Sequence, residues 1–255
     1  MRHLEDSNLA RLNSFLESVD TGEFTVHGNL EAFSCKLAGL DKKLSQSLDG
    51  EVLTGSSPQQ LSMSPVGPLS DSASRKTLIY LILTLNHVYP DYDFSQLRAQ
   101  HFKKEPGFER AEEVVSTCLL DVGKVWEATP GFGDAPFLDS LMGAINEVIG
   151  LKESDVYSYK SDNETDPFGE SANVWAFNYF FYNRKLKRIL YLSCRAVPKG
   201  ADDSEVGEGE TSDEYEKYNS DGDDGGAAAA APAAAAVEAR PPGKTDYGMA
   251  AEMDL

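Results

Sequence analysis

Two consecutive apolar segments, joined by a short basic stretch, constrain the fold of this chain more than any other feature. They occupy residues 174–182 (VWAFNYFFY) and 189–195 (ILYLSCR). Aromatic and β-branched runs separated by a few polar residues predict a β-hairpin. A strand with one face in water alternates apolar and polar residues, whereas the first segment is almost entirely apolar on both alternating sets. We therefore predict that protein layers cover both faces of this hairpin.

Four side chains of the first segment lie on one face and are assigned to the structural core: Trp175, Phe177, Tyr179 and Phe181. A row of exposed aromatic rings would instead be typical of a platform that stacks nucleic-acid bases. The opposite face of the segment is also apolar, which favours the core role over the platform.

A cluster of positive charge follows the first segment, formed by Arg184, Lys185, Lys187 and Arg188. It is dense for a chain that has 42 acidic and 23 basic residues and a net charge of −19. One interpretation is a plain solvated turn. The other is a functional basic patch that serves nuclear import or contacts a partner.

The remaining patterns predict an α+β fold in which a mostly antiparallel sheet is layered with helices. Apolar residues recur at helical spacing over 108–126 and 137–149, and we predict one helix for each range. Residues 23–37 alternate loosely and predict one long bulged strand or two short strands. Residues 155–160 predict a short strand. The N-terminal strand region has no partner nearby in sequence, so we predict a single globular domain over residues 1–198.

Two segments have compositions that predict disorder. Residues 49–73 are rich in Ser, Pro and Gly and contain no Lys, Arg or aromatic residue. Residues 199–255 hold an acidic run and an alanine tract, and 200–255 carry 15 acidic and 3 basic side chains. Neither segment offers enough apolar area to offset the entropy lost on ordering. We predict a disordered insertion within the domain and a disordered C-terminal tail.

No sequence pattern indicates catalytic, metal-binding or cofactor-binding residues. There is no phosphate-binding loop, nucleophile elbow or dinucleotide fingerprint. Cys35, Cys118 and Cys194 are far apart and lack metal-ligand spacing. The net negative charge opposes general nucleic-acid binding, so we expect no direct sequence-specific contact with DNA. The first residues lack the apolar core of a signal peptide, and we expect a nuclear or cytosolic protein without membrane contact.

Three serines are candidates for phosphorylation. Ser57 and Ser64 each precede a proline in the predicted insertion, where a proline-directed kinase can bind an extended chain. Ser45 follows Lys42 and Lys43, a pattern that basophilic kinases of the cAMP-dependent type accept. Each phosphate adds about −1.5 to −2 charges at neutral pH, so we predict a regulatory switch. A purely solubilising role of these serines is the alternative.

Three separated blocks of this sequence resemble the eukaryotic family of repressors of RNA polymerase III transcription. The first extends from the N-terminus through 33–39 (FSCKLAG), and the second covers 74–95. The third covers 155–195 and contains the strings DPFGE and WAFNYFFYN. The sequence departs from the family in 49–73 and beyond residue 199, where length and composition diverge.

The resemblance implies a negative regulator that is not an enzyme. Family members bind the clamp region of RNA polymerase III and hinder its recruitment by the initiation factor that contains TATA-binding protein. Nutrients and stress control them through TOR-type and cAMP-dependent-type kinases and a type-2A phosphatase. Phosphorylation moves them between nucleus and cytoplasm. For this chain, the resemblance implies the same partners, and we expect a monomer. The density of positive charge in the basic cluster makes it a candidate for nuclear import or polymerase contact.

Two other functional classes stay open from the residues alone. A cytosolic scaffold or adaptor would use its acidic tail to bind basic protein partners. A hydrolase would use a site without a recognisable motif. Copurification from nuclear extract, together with a panel of hydrolase substrates, distinguishes these classes from a polymerase-binding repressor.

Overall fold

One antiparallel sheet of seven strands organises the part of this chain that the structure describes. The computed structural model describes residues 1–161, 167–168 and 173–199. Its strands are β1 (Arg2–His3), β2 (Val19–Asp20), β3 (Phe24–Ser34), β4 (Phe102–Lys104), β5 (Asp155–Tyr159), β6 (Trp175–Asn183) and β7 (Arg188–Pro198). They follow the order β1-β3-β7-β6-β5-β4, and β2 also pairs with β3. The predicted α+β class with an antiparallel sheet is confirmed.

Helices from the described part of the chain cover the two faces of this sheet. They are α1 (Ser7–Leu16), α2 (Gly39–Gly55), α3 (Pro58–Ser62), α4 (Ser72–Val88), α5 (Phe108–Cys118), α6 (Leu120–Ala128) and α7 (Phe137–Ile149). Helices α1, α5, α6 and α7 enclose a first core on one face of the sheet. Helices α2 and α4 enclose a second core on the other face. Both cores share the same strands, so the described residues form a single domain.

The alternation of side chains along β7 explains why there are two cores. Leu190 and Leu192 point into the first core, whereas Ile189 and Tyr191 point into the second. Each of these side chains is fully buried. The prediction that both faces of the hairpin are covered is confirmed.

Two predicted elements differ in detail from the observed ones. Residues 108–126 form α5 and α6 instead of one helix, because the backbone of Leu119 leaves the helical range at φ −100° and ψ 17°. The hydrogen bond from the Leu119 amide to the Val115 carbonyl still crosses the junction. Residues 23–37 contain one continuous strand, since β3 pairs with β7 without interruption from Phe24 to Ser34.

The segment 49–73, predicted to be a disordered insertion, is ordered in the structure. Helix α2 continues into it, α3 follows, and α4 begins at its end. Val52, Val66 and Leu69 are at most 3% exposed and belong to the second core. These apolar residues are irregularly spaced among Ser, Pro and Gly. The composition of this segment therefore did not reveal that a few separate apolar side chains pack it against the second core.

Arg75, near the start of α4, ties this segment to the domain. Its side chain is largely buried, and Nε donates a hydrogen bond to Asp49 Oδ1 at 2.7 Å. Its Nη1 donates to the carbonyls of Leu69 and Ser70 at 2.8 and 3.0 Å. Hydrogen bonds that involve a charged group each contribute about 1.5–3 kcal/mol. The anchor lies outside 49–73, so the composition of that segment could not reveal it.

Residues 199–255, predicted to form a disordered tail, lie outside the described residues except for Lys199. The Lys199 ammonium pairs with the Asp20 carboxylate of β2 at 2.7 Å. Both side chains are substantially exposed. Such a surface ion pair contributes little to stability.

We predict that Arg75→Met lowers the free energy of unfolding by about 2–3 kcal/mol, because buried carbonyls lose a charged donor. Urea denaturation measures this loss, and amide hydrogen exchange should show faster exchange over residues 49–73. The neighbouring Lys76 is exposed, so Lys76→Met serves as the matched control with a change below about 0.5 kcal/mol. Equal stability of the two variants would contradict the anchoring role of Arg75.

Candidate functional site at the β6–β7 turn

The aromatic residues assigned to the core occupy the expected face of β6, with one departure. Phe177, Tyr179 and Phe181 are buried in the first core. Trp175 is only partly buried, because it begins the strand at the edge of that core. Its ring stacks on Phe177 with 5.9 Å between ring centroids. The fully buried tryptophan of this core is Trp126, in α6.

The β6–β7 turn is held from several sides. Asn183, 2% exposed, accepts a hydrogen bond from the Leu186 amide at 3.0 Å and donates one to the Ile149 carbonyl at 2.8 Å. The Lys187 carbonyl accepts a bond from the Cys35 amide at 2.8 Å. Lys187 adopts a left-handed backbone conformation, with φ at 52°. The tertiary contacts that hold this conformation make the turn a rigid projection.

The structure separates the four cations that the sequence placed in one cluster. Arg188 is half-buried, and its Nη1 donates to the carbonyl of Val148 at 2.9 Å. This carbonyl lies in the last turn of α7, where a cation is favourable for the helix dipole. Arg184 turns to the other face of the sheet and pairs through Nε with Asp155 Oδ2 at 3.2 Å.

Lys185 and Lys187 are the two cations that stay directed to solvent. Both are exposed, and neither forms an ion pair with the described residues. Leu186 between them is 52% exposed. We refer to Lys185, Leu186 and Lys187 as the hairpin tip. A rigid, cationic and partly apolar projection is suited to protein recognition, because little entropy is lost when it binds.

The predicted phosphorylation sites lie in ordered structure and differ in accessibility. Ser57 is exposed and forms the N-cap of α3, where it accepts a bond from the Gln60 amide at 3.3 Å. Ser64 is half-buried and donates to the Gly67 carbonyl at 2.5 Å. Ser45 is half-buried within α2. A kinase that requires an extended chain reaches Ser57 with the least unfolding.

A small cavity lies where α4 ends, and no sequence pattern predicted it. Its volume is about 180 Å³, and Tyr89, Phe168 and Ser193 contribute to its lining. The Tyr89 hydroxyl is 3.3 Å from the hydroxyls of both Tyr191 and Ser193. Tyr191 donates in turn to Asn178 Oδ1 at 2.8 Å. This partly buried network joins the end of α4 to β6 and β7, and its members become neighbours only through folding.

The thiols of this chain are poorly suited to nucleophilic chemistry. Burial raises the pKa of the Cys35 thiol to about 12 and also raises the pKa values of Cys118 and Cys194. The reactive form of a cysteine is the thiolate, which is scarce under these conditions. Among the described residues, no group of three or more His, Cys, Asp or Glu side chains could hold a metal ion. No helix in the same part of the chain has the length and apolarity of a membrane span.

Comparison with known proteins identifies relatives over most of the chain. A family model described as Maf1 regulator matches residues 26–193. The repressor of RNA polymerase III transcription from Dictyostelium discoideum is 32% identical, over 78% of this chain and 86% of that protein. The repressor of RNA polymerase III transcription maf1 from Schizosaccharomyces pombe is 33% identical, over 78% of this chain and 84% of that protein.

A solved structure is similar to the folded part. The crystal structure of citrus MAF1 in space group C 2 2 21 superposes with a TM-score of 0.63 at 40% sequence identity. The match covers 74% of this chain and 99% of the citrus chain. The similarity therefore extends across the sheet and its helices.

We predict that Phe181→Ala lowers the free energy of unfolding by about 3–5 kcal/mol, because it empties a fully enclosed site in the first core. Trp175→Ala should cost about 1–2 kcal/mol, since this larger ring keeps part of its surface in water. Urea denaturation of both variants measures the two losses in the free energy of unfolding and shows which is larger. A larger loss for Trp175→Ala would show that the strand start is more tightly packed than its exposure indicates.

Proposed function

This chain belongs to the Maf1 regulator family of RNA polymerase III repressors, and we propose that it acts by binding the polymerase itself. The observation that carries this proposal is the extent of the family match, which runs from within β3 to within β7 and includes all of β6 and the β6–β7 turn. The shared part is a folded body. We therefore assign the repressive contact to its rigid surface.

In this proposal the hairpin tip is part of the polymerase contact. Its two exposed lysines stand out in a chain of net charge −19, and acidic surfaces of a partner would attract them. Leu186 adds exposed apolar area at the centre of the tip. We further propose that binding occurs at the clamp region and hinders recruitment by the initiation factor that contains TATA-binding protein.

The regulation that we propose is phosphorylation of Ser57, Ser64 and Ser45, with TOR-type and cAMP-dependent-type kinases and an opposing type-2A phosphatase. A phosphate on Ser57 would sit at the N-terminus of α3, and one on Ser64 would compete with the bond to Gly67. Both changes alter the surface of the segment that Arg75 anchors. We propose that the modified protein is retained in the cytoplasm and that the unmodified protein accumulates in the nucleus.

We predict that the double variant Lys185→Glu, Lys187→Glu folds normally but binds purified RNA polymerase III at least about tenfold more weakly, which corresponds to about 1.4 kcal/mol. In a reconstituted transcription assay, the variant should repress transfer-RNA synthesis less than the unsubstituted protein does. The matched control is Lys76→Glu, Lys124→Glu, which reverses the same number of exposed lysines on α4 and α6.

Equal polymerase binding by the two double variants would remove the hairpin tip from the proposed contact. Failure of the unsubstituted protein to bind or repress the polymerase would remove the proposed mechanism. Copurification of unrelated basic proteins from nuclear extract, without the polymerase, would favour the scaffold alternative.

We predict that proline-directed kinases modify Ser57 of the native protein faster than Ser64. Ser45 should be modified slowly by a cAMP-dependent-type kinase, because its helix must open locally first. Time-resolved mass spectrometry of the intact chain measures all three rates. Arg75→Met should accelerate modification of Ser64, since it loosens the segment, and should change the rate at Ser57 less. Equal rates at Ser57 and Ser64 in the native protein would contradict this order.

A further inference from the structure

Beside the hairpin tip, at an edge of the sheet, several polar side chains converge on one face. Lys104 of the edge strand β4 lies opposite Tyr157 of β5. Asp155 lies opposite Tyr182 of β6, and Arg184 follows shortly after Tyr182. Side chains at paired and at alternate positions share a face of the sheet. All five residues are thus directed to the same side.

Two cations in this group share a single carboxylate. The Lys104 ammonium is 2.7 Å from Asp155 Oδ1, and Arg184 Nε is 3.2 Å from Asp155 Oδ2. Each oxygen of the carboxylate thus faces one cation, and one positive charge is left in excess. The Lys104 and Arg184 side chains are both 46% exposed, so solvent reaches the pair.

Close to these cations lies a buried hydroxyl whose proton has no acceptor among the described residues. Tyr157 is fully buried, and its Oη makes no hydrogen bond to any other described residue. Lys104 Nζ is 5.9 Å from the centre of the Tyr157 ring. The Arg184 guanidinium interacts with the phenolic oxygen as a poorly aligned donor, and Asp155 acts on the hydroxyl only through its charge. Buried polar groups in native proteins are nearly always bonded, so this exception requires an explanation.

The missing partner of Tyr157 is an acceptor. Lysine and arginine side chains only donate hydrogen bonds, so neither cation can receive the phenolic proton. Burial raises the pKa of the Tyr157 hydroxyl, and the nearby Asp155 carboxylate raises it further. The hydroxyl therefore keeps its proton at neutral pH and remains a donor directed at the cationic cluster.

We propose that Lys104, Arg184 and Tyr157 form a binding site for a phosphate monoester, the group carried by a phosphorylated side chain of a partner protein. A monoester presents three terminal oxygens, which match one ammonium, one guanidinium and one hydroxyl donor. Charge-assisted hydrogen bonds from arginine and lysine are the usual means of holding this group. The site does not depend on the proposed polymerase contact.

The geometry favours a monoester over a carboxylate or a phosphodiester. A carboxylate has two oxygens, and the carboxylate already present, Asp155, satisfies the two cations while the Tyr157 hydroxyl stays unpaired. A phosphodiester has two free oxygens as well. Of these three groups, only the monoester brings a third terminal oxygen to the buried donor.

Asp155 acts in this site as an internal competitor. It occupies the cations in the free protein, and its charge repels an incoming phosphate. Binding requires the phosphate to displace the carboxylate from Lys104 and Arg184. Removing that charge should therefore strengthen phosphate binding, whereas a purely structural ion-pair cluster would show no such gain.

The test is a nuclear magnetic resonance titration of the full chain at constant ionic strength. The main probe is a short neutral peptide that carries one phosphoserine, beside the same peptide with glutamate. Inorganic phosphate and dimethyl phosphate complete the set. We expect the phosphoserine peptide to shift the amide signals of Lys104, Tyr157 and Arg184, and the glutamate peptide and the diester to have little effect.

Substitutions identify the donors. Tyr157→Phe removes only the hydroxyl and should weaken phosphoserine binding about threefold to tenfold without lowering the melting temperature. Asp155→Asn should tighten binding at least about threefold. Arg184→Gln and Lys104→Gln should weaken it, while Lys124→Gln on α6, which removes a lysine from another surface, should leave it unchanged.

The source of the phosphate follows from the same titration. Tighter binding of the phosphopeptide than of inorganic phosphate supports a protein partner. Equal binding of the two supports the oxyanion site but assigns it to the free ion. Three results would overturn the proposal: monoester and diester binding alike, unchanged affinity in both Tyr157→Phe and Asp155→Asn, or signal shifts confined to residues away from this edge.

Discussion

The burial of β6 and β7 on both faces is the constraint on which the rest of this structure depends. Every residue of β7 from Ile189 to Cys194 is buried, and successive side chains enter opposite cores. A strand pair of this kind requires a helical layer on each side. The chain supplies one layer from α1 and α5–α7 and the other from α2 and α4. Segments that are distant in sequence must therefore assemble on the same hairpin.

This arrangement also determines which parts of the chain can take part in recognition. The middle of the sheet is inaccessible, and its free edge and turns carry the exposed charges. At the β6–β7 turn, Arg188 contacts α7 and Arg184 contacts Asp155, so the same basic run supplies both structural contacts and exposed lysines. The hydrogen bonds of Asn183 restrict the conformational freedom of the turn. A restricted surface of this kind loses little entropy on binding, which suits it to protein recognition.

The proposed phosphorylation sites Ser57 and Ser64 lie in a packed segment and not in a free loop. Arg75 connects the end of that segment to Asp49 in α2, and Val66 and Leu69 are buried between these points. Phosphorylation near such anchors has two physical effects. It adds charge to the surface, and it changes the balance between the docked and the locally opened segment. The composition of the segment indicated only the first effect.

The alternation of apolar residues by itself determined the hairpin, its two-sided burial and helix α7, because periodicity depends on neighbours along the chain. Residue type also marked the basic run and the serines that precede proline. Tertiary structure alone decided that Arg184 and Arg188 lie on opposite faces of the sheet, that residues 49–73 are ordered, and that the Tyr157 hydroxyl lies beneath Lys104. Each of these outcomes depends on contacts between groups that are far apart in sequence. Strand register and long-range packing bring those groups together, and no local sequence pattern encodes either.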